Sequence, residues 1–165
     1  MKKFEKEIQH RIHFNLNGED VEGNAEPRML LTDFLRHEIG ATGTHVGCEH
    51  GICGACTILI NGKAMRSCLM LAVQVNGNTV ETVEGLAESD GSFSALQQAF
   101  HENFALQCGY CTPGFLMTLS EYLKKNPEPT DEEIKIALSG NICRCTGYHE
   151  IINAALDAAK MLRQS

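Results

Sequence analysis

The chain is predicted to be an α+β protein, a small mixed β-sheet crossed by one helix and then an all-helical second half, and three observations carry this. Three Asn-Gly dipeptides, Asn17-Gly18, Asn61-Gly62 and Asn76-Gly77, all fall in the first half, and Asn-Gly between apolar runs is the strongest short hairpin signal. After the polar, Gly-containing stretch 84–92 these signals give way to helix starts and helical apolar spacing. Eight cysteines divide into two sets of four, one on each side of that change.

In chain order, residues 12–16 alternate apolar and polar into the first Asn-Gly, 57–60 run into the second, and 71–75 run into the third with 79–83 following. Each run is predicted as a short strand. Leu30, Leu31, Phe34, Leu35 and Ile39 recur at helical spacing, with Gly40 where a C-terminal cap is expected, so a helix should lie across the sheet. Segment 40–56 holds five glycines and three cysteines. That is too much glycine for a regular element but suits backbone wrapped closely around a buried object.

In the second half, Ser94 with Gln97 and Thr130 with Glu133 form capping boxes, and Thr112-Pro113 offers an N-cap followed by Pro at the first helical position. Apolar stripes follow each start: Leu96, Ala99 and Phe100; Leu116, Leu119 and Leu123; Ile134, Ala137 and Leu138. A fourth comprises Ile151, Ile152, Ala155, Leu156 and Ala159. Four helices are therefore predicted, with Pro127 and Pro129 breaking the chain between the second and third. The domain boundary is placed near residue 88, giving domains 1–88 and 89–165.

An apolar content of 43% in 165 residues is enough to fold, yet domains this small bury little surface and are commonly reinforced by metals or disulfides. The formal charge of −7, with no sustained basic stretch, argues against a nucleic-acid partner. Residues 1–11 contain no apolar core, so neither a signal peptide nor a membrane span is expected there, nor is a twin-arginine leader visible. The expected location is the cytoplasm, where thiols stay reduced and bind metals instead of forming disulfides.

Cys48-x4-Cys53-x2-Cys56, followed after eleven intervening residues by Cys68, has the plant-type spacing of a [2Fe-2S] site. Gly47, Gly51 and Gly54 let one loop fold back around two irons, and its N–H groups can donate to sulfur. The alternative is a four-cysteine zinc site, whose ligands usually come as two close pairs, whereas Cys68 stands singly. His45 and His50 sit beside this set, but no cysteine is missing that a Rieske histidine would replace.

Cys108-x2-Cys111 and Cys143-x-Cys145 each precede a predicted helix. Positive charge at a helix N-terminus favours thiolates and an anionic cluster. Zinc and a redox dithiol remain alternatives, although the latter calls for a βαβ context. Spacing leaves the nuclearity of this second centre open.

The segments GCEHGICGACT (47–57), RSC (66–68), QCGYCTPG (107–114) and GNICRCTGY (140–148) make the chain resemble the small iron-sulfur subunit of the molybdenum hydroxylases, the xanthine dehydrogenase and aerobic carbon monoxide dehydrogenase family. The resemblance runs from about residue 12 to 162. It implies a ferredoxin-like (β-grasp) domain followed by an all-α four-helix domain, each with one [2Fe-2S] cluster: Cys48, Cys53, Cys56 and Cys68 for the first, Cys108, Cys111, Cys143 and Cys145 for the second. It further implies a large partner with a molybdopterin-type molybdenum cofactor and a medium partner with FAD, as a dimer of heterotrimers.

By the same resemblance electrons pass from molybdenum to the second cluster, then the first, then FAD, and Gln107 contacts the pterin. Spacing alone would leave Gln107 a surface residue, Arg144 unassigned, and Tyr110 and Tyr148 either cluster shields or plain core aromatics. No nucleophile-base constellation is present, so no catalytic residue is expected. A freestanding two-cluster ferredoxin and a zinc-stabilised interaction module are the rival readings.

Overall fold

The computed structural model describes residues 8–164. The expectation for segment 1–11 falls mostly on residues 1–7, outside the described residues.

The first two Asn-Gly dipeptides close hairpins. Strands β1 (His10–Leu16) and β2 (Glu19–Ala25) pair antiparallel up to Leu16↔Glu19, and β3 (Thr57–Ile60) pairs with β4 (Lys63–Arg66) up to Ile60↔Lys63. Asn17 and Gly18 stand at φ 53° and 91°, Asn61 and Gly62 at 50° and 74°. Two successive positive φ values make the type I′ turn whose twist suits a hairpin.

The third dipeptide behaves differently. Residues 71–75, predicted as a strand, form a 3-10 turn (Ala72–Val75); Asn76 at φ −57°, ψ 120° and Gly77 at φ 79° then make a type II turn, closed by Asn78 N–H to Val75 O at 2.9 Å. The apparent alternation fails because Ala72, Val73 and Val75 all bury in one core. The Gln74 side chain meanwhile accepts the Leu71 N–H at 2.7 Å, the bond a partner strand would have supplied.

Strand β5 (Thr79–Glu81) inserts in the middle, giving the order β2-β1-β5-β3-β4, parallel to β1 and antiparallel to β3. The sheet is mixed, as predicted. Across it lies α1 (Leu31–Asp33), which continues as a π-helical segment Phe34–Ile39 and stops at Gly40, φ 86°. Leu31, Phe34 and Leu35 are fully buried against Ile12, Phe14, Ile58 and Val80. The Phe14 and Phe34 rings lie 5.9 Å apart.

From residue 95 onward the described regular elements are helices: α2 (Ala95–Glu102), α3 (Thr112–Lys125), α4 (Asp131–Ala137) and α5 (His149–Gln164). Both capping boxes form, with Gln97 Oε1 accepting Ser94 N–H at 3.0 Å and Glu133 Oε2 accepting Thr130 N–H at 2.8 Å. The start of α3 differs from expectation. Cys111, not Thr112, is its N-cap; its backbone is already near helical at φ −84°, ψ −16°, so Thr112 lies inside the helix, where its side chain cannot cap. The Thr112 hydroxyl is buried without a partner among the described residues.

The helical core gathers Leu96, Phe100, Phe115, Leu119, Ile134 and Ile151, and small residues on α5 (Ala154, Ala155, Ala158, Ala159) let its neighbours approach closely. Val83 and Leu86, from the turn Val83–Leu86 after β5, pack against it. Helix α3 also lies against β3 and β4, where Glu121 Oε2 accepts the Ala64 N–H at 2.8 Å.

The Lys125 ammonium, with help from that N–H, holds the Glu121 carboxyl below its ordinary range. A depressed carboxyl stabilises the fold above the unfolded-state pKa, and this contribution is lost as pH falls through the folded value. Glu121→Gln is therefore expected to be less stable than the parent at pH 7. The gap in urea midpoint should close as pH drops below about 4. A gap that is constant with pH would mean that the charge plays no part.

Candidate metal centres

Cys48, Cys53 and Cys56 lie on the loop between the π-helical segment and β3, and Cys68 on the 3-10 turn Ser67–Leu69 after β4. The loop folds back on itself at Glu49, Gly51 and Gly54, all at positive φ. His50 and Cys53 N–H groups both donate to Cys48 Sγ at 3.4 Å and, Cys53 the more strongly, pull its thiol down to about 6. Burial pushes Cys68 up to about 11.

The second set gathers two loops. Cys108 and Cys111 enter α3, Cys143 and Cys145 enter α5, and Cys145 Sγ lies 3.6 Å from Cys108 Sγ. Burial works against ionisation of Cys143, yet the Thr146 hydroxyl (3.1 Å) and N–H (3.4 Å) donate to its sulfur and the net shift is downward. Burial drives the Cys111 thiol up to about 12, with the nearby Cys143 adding to the rise. Tyr148, at φ 74° and edge-on to Phe115, accepts the Cys143 N–H on its hydroxyl at 3.0 Å.

Both sets have N–H or O–H groups aimed at sulfur. A two-iron group takes two thiolates per iron and is tuned by such donors, whereas structural zinc draws four sulfurs around one point. The donor arrangement fits a [2Fe-2S] group at both places.

The two sets are joined. Ile142 N–H donates to Cys53 O at 2.9 Å, and the Asn141 side chain donates to the next carbonyl, Gly54 O, at 3.3 Å. Arg66 donates to Gly140 O at 2.6 Å and to the Thr57 hydroxyl, which itself donates to Gly54 O at 2.6 Å. On the outer side the His45 ring stacks on Tyr110 with centroids 4.8 Å apart, His45 Nδ1 donates to Tyr110 O at 2.8 Å, and Tyr110 OH donates to Val46 O at 2.6 Å. Gly114 permits the close approach of α3, since a Cβ there would stand 2.2 Å from Gly54 O.

Residues 29–90 match the family model described as a 2Fe-2S iron-sulfur cluster binding domain, and residues 82–156 match the [2Fe-2S] binding domain. The gamma subunit of caffeine dehydrogenase from Pseudomonas sp. (strain CBB1) is 57% identical over 88% of this chain and 88% of its own length. The small FeS subunit of nicotinate dehydrogenase from Eubacterium barkeri is 53% identical over 85% and 88%. The chain belongs to the small iron-sulfur subunits of the molybdenum hydroxylases.

A chain of quinoline 2-oxidoreductase from Pseudomonas putida 86 superposes on this subunit with a TM-score of 0.91 at 48% identity, covering 95% of this chain and 98% of that one. The subunit carries two [2Fe-2S]-binding domains and serves electron transfer in an oxidoreductase. None of its described helices is long and apolar enough to cross a membrane.

Within the subunit, Gln107 is exposed immediately before Cys108, and Arg144 is exposed between Cys143 and Cys145. Tyr110, weighed as a core aromatic, is instead half exposed in the clasp with His45. Tyr148 accepts the Cys143 N–H as well as packing against Phe115. Asn141 and Gly114 lie in segments that carry the family resemblance but are given no role there, and Thr118 is not singled out by sequence. All three matter only once α3 and the two loops are brought together; the sole local signal is glycine near the start of a helix.

Proposed function

We propose that this subunit relays electrons from a molybdopterin-type molybdenum centre in a large partner to FAD in a medium partner, entering at Cys108, Cys111, Cys143 and Cys145 and leaving from Cys48, Cys53, Cys56 and Cys68. The observation that carries this is the direct hydrogen bond from Ile142, next to Cys143, to the carbonyl of Cys53. The bound [2Fe-2S] groups would supply one-electron redox capacity, while the chain supplies burial, donors and spacing. In this reading 1–88 is the ferredoxin-like domain, 89–165 the four-helix domain, and Gln107 the contact to the pterin.

Support for two partners comes from the surface. Ile52, Leu69 and Leu71 are exposed near the first set; Phe104, Leu106 and Tyr110 are exposed near the second, where Cys108 and Cys145 also reach the surface. Apolar rims around both sets suit docking at both ends, and a freestanding carrier has no need of two. The assembly proposed is a dimer of heterotrimers in the cytoplasm. Relatives named for caffeine, nicotinate and quinoline all point to nitrogen heterocycles, the substrate class proposed for the assembled enzyme, whose pocket lies outside this chain.

The native protein is expected to co-purify with a large and a medium partner and, when reduced, to give two distinguishable [2Fe-2S] signals in low-temperature electron paramagnetic resonance. A single signal, or a colourless protein containing zinc, would overturn the proposal.

A further inference from the structure

We infer that Asn141 is a positioning residue for electron transfer between the two cysteine sets, acting by holding the Cys53–Ile142 hydrogen bond closed; this rests on the relay proposed above. Two consecutive carbonyls of the first loop, Cys53 O and Gly54 O, are met by two consecutive residues of the second, Ile142 through its N–H and Asn141 through Nδ2. A single hydrogen bond between loops can slip. Two in register fix both direction and separation.

The anchoring of Asn141 makes this register rigid. It is 3% exposed, its N–H donates to Leu138 O at 2.9 Å, and its Oδ1 lies 3.0 Å from the Thr118 hydroxyl on α3. That hydroxyl is also 2.9 Å from Gly114 O, and its one proton serves either acceptor. Asn141 therefore sits where the end of the α4 region, helix α3 and the first loop meet. Its amide is the only one of the three groups at this junction that reaches Gly54 from the second loop.

The register matters because it sets a short connected route. From Cys53 Sγ the route follows its own side chain to the carbonyl, crosses one hydrogen bond to Ile142 N, and continues along one residue to Cys143. Electron tunnelling falls steeply with distance and with each gap that is not bonded, so parting the loops by an ångström or so slows transfer without removing any ligand. The neighbouring links do not replace the amide. Arg66 grips Gly140 O and reaches Gly54 O only by way of the Thr57 hydroxyl, three hydrogen bonds in series, whereas the Asn141 amide spans Gly54 to the second loop directly.

The test uses the holoenzyme purified with its partners, comparing the parent with Asn141→Ala and with Asn141→Asp, which keeps the side chain's shape but replaces the donor to Gly54 O. Iron content, the magnetic splitting between the two reduced clusters, and the rate of transfer between them after rapid reduction with freeze-quenching are measured. Full iron is expected in N141D, with weaker splitting and slower transfer between the clusters than in the parent. Should N141A lose iron, the isosteric N141D decides. Parent-like rate and splitting in either iron-replete variant, or loss of iron from both, would overturn the inference. If the parent itself shows no transfer between clusters, it is the relay reading that fails.

Discussion

Cys108→Ser is expected to abolish turnover with an acceptor at the flavin site while the first cluster still accepts electrons from a chemical reductant. Cys108 is exposed and paired with Cys145 at 3.6 Å, so the substitution leaves both apolar cores intact and acts on one thiol. Loss of residues that merely support ligands typically weakens metal binding by about 10- to 100-fold, and loss of a ligand itself should exceed that. One of the two paramagnetic signals should vanish or change shape. Full-rate turnover in the variant would show that electrons do not pass through the second set, and would overturn the order proposed here.

The largest effect on stability is expected from Gly114→Ala. A Cβ at this position would lie 2.2 Å from Gly54 O and 2.9 Å from both Gly54 C and Ala55 Cα. These are backbone atoms of the loop that carries Cys53 and Cys56, so no rotamer change relieves the overlap; α3 or the loop must move. The cost should be about 3 to 5 kcal/mol, at the upper end for single substitutions, or a fall in melting temperature of about 10 °C. Gly62→Ala makes the comparison. It has no atom within 4 Å but a φ of 74°, so only backbone strain of about 1 kcal/mol is expected. Equal effects of the two would show that α3 does not press on the loop.

The features legible in the chain are those whose cause is local. Two Asn-Gly turns and two capping boxes depend on residues at most three apart, and they form as predicted. The division into a mixed sheet and helices followed from the same short-range signals. So did the cysteine sets, because ligand spacing is a property of the chain itself, and the resemblance to a family rested on those same segments.

Where a residue's conformation depends on what packs against it, local signals misled. Asn76-Gly77 looked like the other two dipeptides, but burial of Ala72, Val73 and Val75 on one side turned the preceding run into a 3-10 turn. The Cys111 thiol, at a helix N-terminus, is pushed up to about 12 by burial, a cause that no local signal carries.

The eight cysteines and their two sets were determined by the sequence alone. Only the tertiary structure decided that Cys108 meets Cys145, that Tyr148 and Thr146 attend Cys143, and that Cys53 touches Ile142 across 89 residues of chain. The physical reason is range. A spacing rule acts along the backbone, whereas the pairing of thiols and the register of two loops exist only when Gly114 lets α3 close upon Gly54 and a buried amide at Asn141 finds the carbonyl waiting there.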